Sequence, residues 1–140
     1  MSKMAWLVIG EYDSDECYND KWIVAILPTE ELANKWRDAA EAEHGARLAR
    51  HRSLTRMFNS WEHDRTKRMT YAEYHIFNSS NERAARLVAD KDARMAIEAS
   101  CVYDRDHGNG DHLFDDHVSY HVCSAPFYDV MPGLLGEGER

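Results

Sequence analysis

Hydrophobic residues in this chain fall into three short runs and one long helical stripe. Trp6, Leu7, Val8 and Ile9 form an unbroken run, followed by a polar stretch over residues 11–20. Trp22, Ile23, Val24, Ala25, Ile26 and Leu27 form the second run. Short runs rich in β-branched and aromatic residues, bounded by polar turn formers, predict strands. The polar stretch, with Asp13, Ser14 and Asn19, predicts the connection of a hairpin. Pro28 stops the second strand because it has no N–H for the ladder. Near the end of the chain Val118, Tyr120 and Val122 alternate with Ser119, His121 and Cys123. That alternation predicts a third strand over residues 118–127, with Pro126 marking a sheet edge.

Between the second and third strands the period changes to that of a helix. Thr29 is placed to cap a helix whose first turn holds Glu30 and Glu31, where the helix dipole favours acids. Leu32, Trp36, Ala39 and Ala40 fall on one expected face. Gly45 weakens this helix without necessarily ending it. Beyond it, Leu54, Met57, Phe58 and Trp61 repeat at i, i+3, i+4 and i+7, a strong amphipathic signature. A turn is expected over residues 64–69. Two further starts follow, because Thr70 with Glu73 and Ser79 with Glu82 both fit a capping box. The first would launch Tyr71, Tyr74 and Phe77, and the second Leu87, Val88 and Met95.

These patterns predict an α+β fold. A small antiparallel sheet of about three strands carries a long helical insertion, residues 34–114, between strands 2 and 3. A single domain over residues 1–132 is expected, with a frayed Gly- and Glu-rich tail over residues 133–140. At 140 residues the chain can bury roughly two-thirds of the surface its unfolded form exposes.

Charge adds a division that net charge hides. The chain carries −8 overall, yet residues 32–70 hold nine bases and five acids. Residues 1–31 and 104–140 are strongly acidic. The basic stretch is expected to be a solvated helix face or to pair internally with the acidic ends; a nucleic-acid footprint is the alternative. Three widely spaced cysteines, Cys17, Cys101 and Cys123, form no CxxC pair and point to incidental free thiols. No apolar run approaches the ~18 residues of a membrane span, and no leader pattern opens the chain. A cytoplasmic location is expected.

The order of the strand at residues 6–11, the acidic loop, the WxVAxxxTEExA-like run at residues 22–33, the helical middle and the SYxVxxxPF-like strand at residues 119–127 resembles small uncharacterised accessory proteins encoded by phages of actinobacteria. The matching stretches cover about 45 of the 140 residues. In those relatives the terminal strand carries acids where this chain has Cys123 and Ser124. The resemblance implies a compact α+β fold and a phage accessory role in the cytoplasm of a host cell. It carries over no catalytic residue.

Candidate chemistry is sparse. No P-loop, dinucleotide fingerprint, nucleophile elbow or HExxH frame occurs. Asp104, Asp106, His107, Asp111, His112 and His117 gather carboxylates and imidazoles, a donor set suited to a divalent metal such as zinc, iron or manganese. The spacing departs from a calcium loop, with Asn109 at its sixth position and Asp115 at its twelfth. In the insertion, Arg50, Arg52 and Arg56 interleave with the aromatic stripe that includes Trp61. The stripe either fills a core or meets a partner, and Trp, Tyr, Met and Arg are the residues interfaces favour.

The leading expectation is therefore a non-enzymatic protein without a cofactor. It would bind a macromolecular partner, with a host protein as one candidate, through Arg50, Arg52, Arg56 and Trp61. A metal-binding protein or small metal-dependent enzyme using residues 104–121 is the alternative. A nucleotide or nucleic-acid binder using the bases of residues 47–68 is the third reading.

Overall fold

The structure, a computed structural model, describes residues 2–14, 19–104 and 112–128. The elements run β1 (Ser2–Asp13), β2 (Asn19–Leu27), α1 (Glu30–Thr66), α2 (Tyr71–Asn78), α3 (Asn81–Ala99) and β3 (Val118–Tyr128). The fold is α+β, with all three helices between the second and third strands. The predicted tail over residues 133–140 lies outside the described residues.

The sheet order is β2-β1-β3, both pairs antiparallel. The first strand is central, so the two ends of the chain meet on it. β1 and β2 pair from Trp6 with Leu27 to Asp13 with Asn19, and the register slips between Val8 and Ile9. The slip leaves Val24 as an extra residue opposite that step. Strict alternation in β2 would turn Ala25 and Leu27 away from the core, but the bulge returns both to it.

α1 runs 37 residues, about 55 Å at the helical rise. The Thr29 side chain accepts a hydrogen bond from the Leu32 N–H and caps it as expected. The helix continues through Gly45, which is exposed with open space around it. Of the expected face, Ala40 is buried and Trp36 packs against the core, while Leu32 is 38% exposed. The buried positions are Ala33, Ala40, His44, Arg47 and Leu48. Two polar residues, His44 and Arg47, occupy positions where an apolar residue would ordinarily sit.

The first half of α1 lies across all three strands. Val8, Trp22, Val24, Ala33, Ala40 and Tyr120 form the core between them. Trp22 lies over its cross-strand partner Gly10, where an added Cβ would stand 2.2 Å from the indole. Gly10 is thus the floor of the Trp22 site.

The second half of α1 leaves the sheet and pairs with α3. α2 is launched by the Thr70–Glu73 capping box, both of whose bonds form. α3 starts one residue later than its box suggested, with Ser80 accepting from the Arg83 N–H. Cross-links between Arg65 and Glu82, between Glu62 and Arg83, and from Arg86 to Trp61 step in opposite directions along the two helices. α1 and α3 therefore form an antiparallel hairpin, here called the helical arm.

Two glycines give opposite expectations. Gly10→Ala should cost ~1–3 kcal/mol in chemical denaturation, because the methyl group collides with Trp22. Gly45→Ala should gain ~0.5–1 kcal/mol, because an exposed helix-interior glycine loses entropy without contributing a contact.

Candidate functional site

Two places hold most of the chemistry: a buried polar cluster beneath the sheet and the seam of the helical arm.

The cluster is built on Arg47, which is fully buried and whose charge Asp104, 3% exposed, balances at 3.2 Å. The Arg47 Nε donates to the Leu113 carbonyl at 2.6 Å, and Nη1 donates to the Cys101 Sγ at 2.6 Å. Its Nη2 donates to His44 Nδ1 as well as to Asp104. Because a guanidinium only donates, His44 Nδ1 must accept, so Nε2 carries the hydrogen and donates to the Asp115 carbonyl at 2.7 Å. Burial, with the Arg47 charge assisting, holds the His44 imidazole below its ordinary pKa, so the ring is neutral.

Asp104 accepts further bonds. The Tyr120 hydroxyl donates at 2.7 Å, the Trp22 indole N–H at 3.3 Å and the Cys101 thiol at 3.6 Å. Burial and the neighbouring carboxylate push the Tyr120 hydroxyl far above its usual pKa. Burial likewise raises the Cys101 thiol. Both groups keep their protons and act as donors. Among the described residues, the carboxylate and the neutral imidazole are both buried and hydrogen-bonded within the fold. The cluster is a structural lock joining α1, the sheet and residues Cys101, Asp104, Leu113 and Asp115.

Beside it, His112 stacks on Tyr12 with ring centroids 4.0 Å apart and an interplanar angle of 9°. Its Nε2 lies 3.1 Å from the Asp20 carboxylate. Among the expected metal ligands, Asp104 and His112 are thus committed to different internal contacts. Asp106, His107 and Asp111 lie outside the described residues. Among the described residues, the side chains that could share one cation are Asp115, Asp116 and the expected ligand His117. Asp115 also accepts the His117 N–H, and Asp116 takes a hydrogen bond from Arg52 at 3.2 Å.

On the arm, Trp61 packs against Phe58 and Phe77 with centroids 5.6 and 5.8 Å away. The Arg86 guanidinium lies 5.4 Å over its ring. The expected core stripe therefore forms a satellite cluster between helices rather than part of the sheet core. Leu54, Phe58 and Trp61 are half-buried, while Met57 is 57% exposed. An open groove of ≈540 Å³ runs along this seam, lined by Arg56, Met57, Ser60, Trp61, Asp64 and Arg86. A second, of ≈470 Å³, includes Thr55, Phe58, Leu87 and Arg94.

The four expected contact residues do not make one patch. Arg56 and Trp61 share the first groove. Arg52 turns to Asp116, and Arg50, two residues before it, is exposed on another flank of the helix. Internal pairing also removes much of the basic character of this region. Arg47 is buried, Arg65 is bound bidentately by Glu82, and Lys67 lies 3.7 Å from Asp64.

No family model, curated protein or solved structure matches the chain.

The missed residues are Arg47 and Cys101, which bond Asp104, and His44, which bonds Arg47. Their one sequence signal was position: His44 and Arg47 lie on the helical stripe that contains Ala33 and Ala40.

Two measurements check the lock. Tyr120→Phe removes a donor to a buried carboxylate and should cost ~1.5–3 kcal/mol in urea unfolding. Stability should also fall as pH drops below about 6.5, since the unfolded chain gains protons on His44 and His51 that burial keeps off in the fold. His44→Gln should flatten that slope, and His51, stacked on Phe114, should supply the remainder.

Proposed function

We propose that this is a non-enzymatic accessory protein that binds a macromolecular partner through the seam of the helical arm. The observation that carries this reading is the groove at Arg56, Met57, Trp61 and Arg86. An aromatic ring braced from behind by Phe58 and Phe77, with arginines and a methionine at its rim, has the composition of an interface anchor. The rest of the arm supports it. α3 spans 19 residues without one buried side chain, and Leu87, Val88 and Met95 are exposed along it. A helix so lightly packed is held mainly by its contacts with α1, and a partner would add burial that the monomer lacks.

The resemblance to phage accessory proteins makes a host protein the favoured kind of partner, and the host cytoplasm its place of action. Among the described residues no helix is long and apolar enough to cross a membrane. The nucleic-acid reading loses support from the internal pairing of Arg47, Arg52, Arg65 and Lys67. A second reading, divalent metal at Asp115, Asp116 and His117, rests on three ligand atoms within 4.8 Å of one another. If it holds, zinc should raise the melting temperature of the wild type and leave His117→Ala unchanged.

The groove is tested with Arg56→Glu combined with Met57→Ala. Both side chains are exposed, so unfolding should shift by no more than ~0.5 kcal/mol each. Affinity-purified wild type and variant are compared for capture from host lysate by quantitative mass spectrometry. A partner bound through the groove should lose at least about tenfold in the variant. A capture profile identical for the two proteins contradicts the reading.

A further inference from the structure

α1 covers one face of the sheet, and among the described residues α2 and α3 pack on the arm instead. Strand alternation, corrected for the bulge at Val24, places Leu7, Ile9, Ile23, Ile26, Cys123 and Phe127 on the opposite face. They are neighbours across the ladder: Leu7 pairs with Ile26 and Cys123, and Ile9 pairs with Ile23. Ile23, Ile26 and Phe127 are 43%, 63% and 54% exposed. Single exposed apolar residues are ordinary, but a contiguous apolar surface over three hydrogen-bonded strands marks an association face.

We infer that this face is closed by a second copy of the chain, packed sheet on sheet about a two-fold axis crossing β1 near Leu7. Charge gives the first argument. The chain carries −8, so most of its surface repels another copy. The outer sheet face is different. Alternation assigns it Lys3, Glu11, Asp13 and Lys21, two charges of each sign, and Lys21 stands 3.9 Å from Glu11. Lys3 sits at one end of β1, and Glu11 and Asp13 sit at the other. A two-fold axis across the middle of the strand lays each copy's Lys3 end over the mate's end that holds Glu11, Asp13 and Lys21, a net single negative charge.

Shape gives the second argument. The same operation sets Ile26 of each copy against Ile26 of the other, because Ile26 pairs with Leu7 at the axis. It also brings the two Cys123 side chains near the axis, because Cys123 pairs with Leu7. Two twisted sheets of like shape pack well in this aligned manner, about 10 Å apart.

Area gives the third. Three strands about 4.8 Å apart and about ten residues long present roughly 480 Å² per copy before corrugation, or about 1,000 Å² for the pair. That lies at the threshold of specific association, so the dimer is concentration-dependent.

Sedimentation equilibrium of the full chain between about 1 and 200 µM reads the mass directly. A species of twice 16.2 kDa should grow with concentration. Over the same range alkylation of the exposed Cys123 should slow, and a short bis-maleimide should join Cys123 to Cys123, identified by peptide mapping. Ile26→Glu, or Phe127→Glu should that variant fold poorly, should give a folded monomer at every concentration. Leu87→Glu on α3 should leave the dimer intact. A monomeric wild type throughout, a dimer that survives both sheet-face changes, or a dimer lost instead with Leu87→Glu would each overturn the inference. Because the arm groove and the sheet face share no residue, loss of partner capture and loss of the dimer are separable results.

Discussion

A buried arginine carboxylate pair ties the three parts of this molecule together. Arg47 comes from the middle of α1 and Asp104 from the segment after α3, and Asp104 also accepts from Tyr120 of β3 and Trp22 of β2. Two opposite charges out of water are tolerable only when nearly every polar atom finds a partner. Here they do so through His44, Cys101 and the Leu113 carbonyl. The constraint fixes where α1 crosses the sheet and returns the chain from the arm to the start of β3. The arm projects from that anchored point, and the groove at Trp61 is held at a set distance from the sheet.

One continuous stripe along α1 serves two different environments. Below, Ala33 and Ala40 let the helix approach the strands closely, and His44 and Arg47 reach the polar cluster. Above, Leu54, Phe58 and Trp61 meet α3 and Phe77. The lower half is dense and closed. The upper half is open on both flanks, with grooves beside the seam and no buried residue on α3.

Much of this architecture was legible in the residues. Period-two alternation located β3, Pro28 and Thr29 located the passage from β2 to α1, and Thr70 with Glu73 located α2. These are local rules, satisfied by neighbours in sequence. What escaped was non-local. Arg47 looked like one member of a basic helix face because its partner lies 57 residues away. Asp104 looked like a metal ligand because the residues around it are acids and histidines, whereas its actual partners come from three other elements. The bulge at Val24 leaves no mark in composition. The contact residues divided for a simpler reason. Arg50 and Arg52 are two apart on a helix and therefore face different ways, so proximity in sequence did not make them one surface.

Arg47 and Asp104 hold the sheet, the helix and the returning segment as one unit. Urea unfolding of the cycle formed by wild type, Arg47→Met, Asp104→Leu and the double variant tests it most directly. Each single change strands a buried charge and should cost ~3–5 kcal/mol, while the double variant should recover most of that loss. Single changes that cost less than about 1 kcal/mol, or that add without coupling in the double variant, would contradict it.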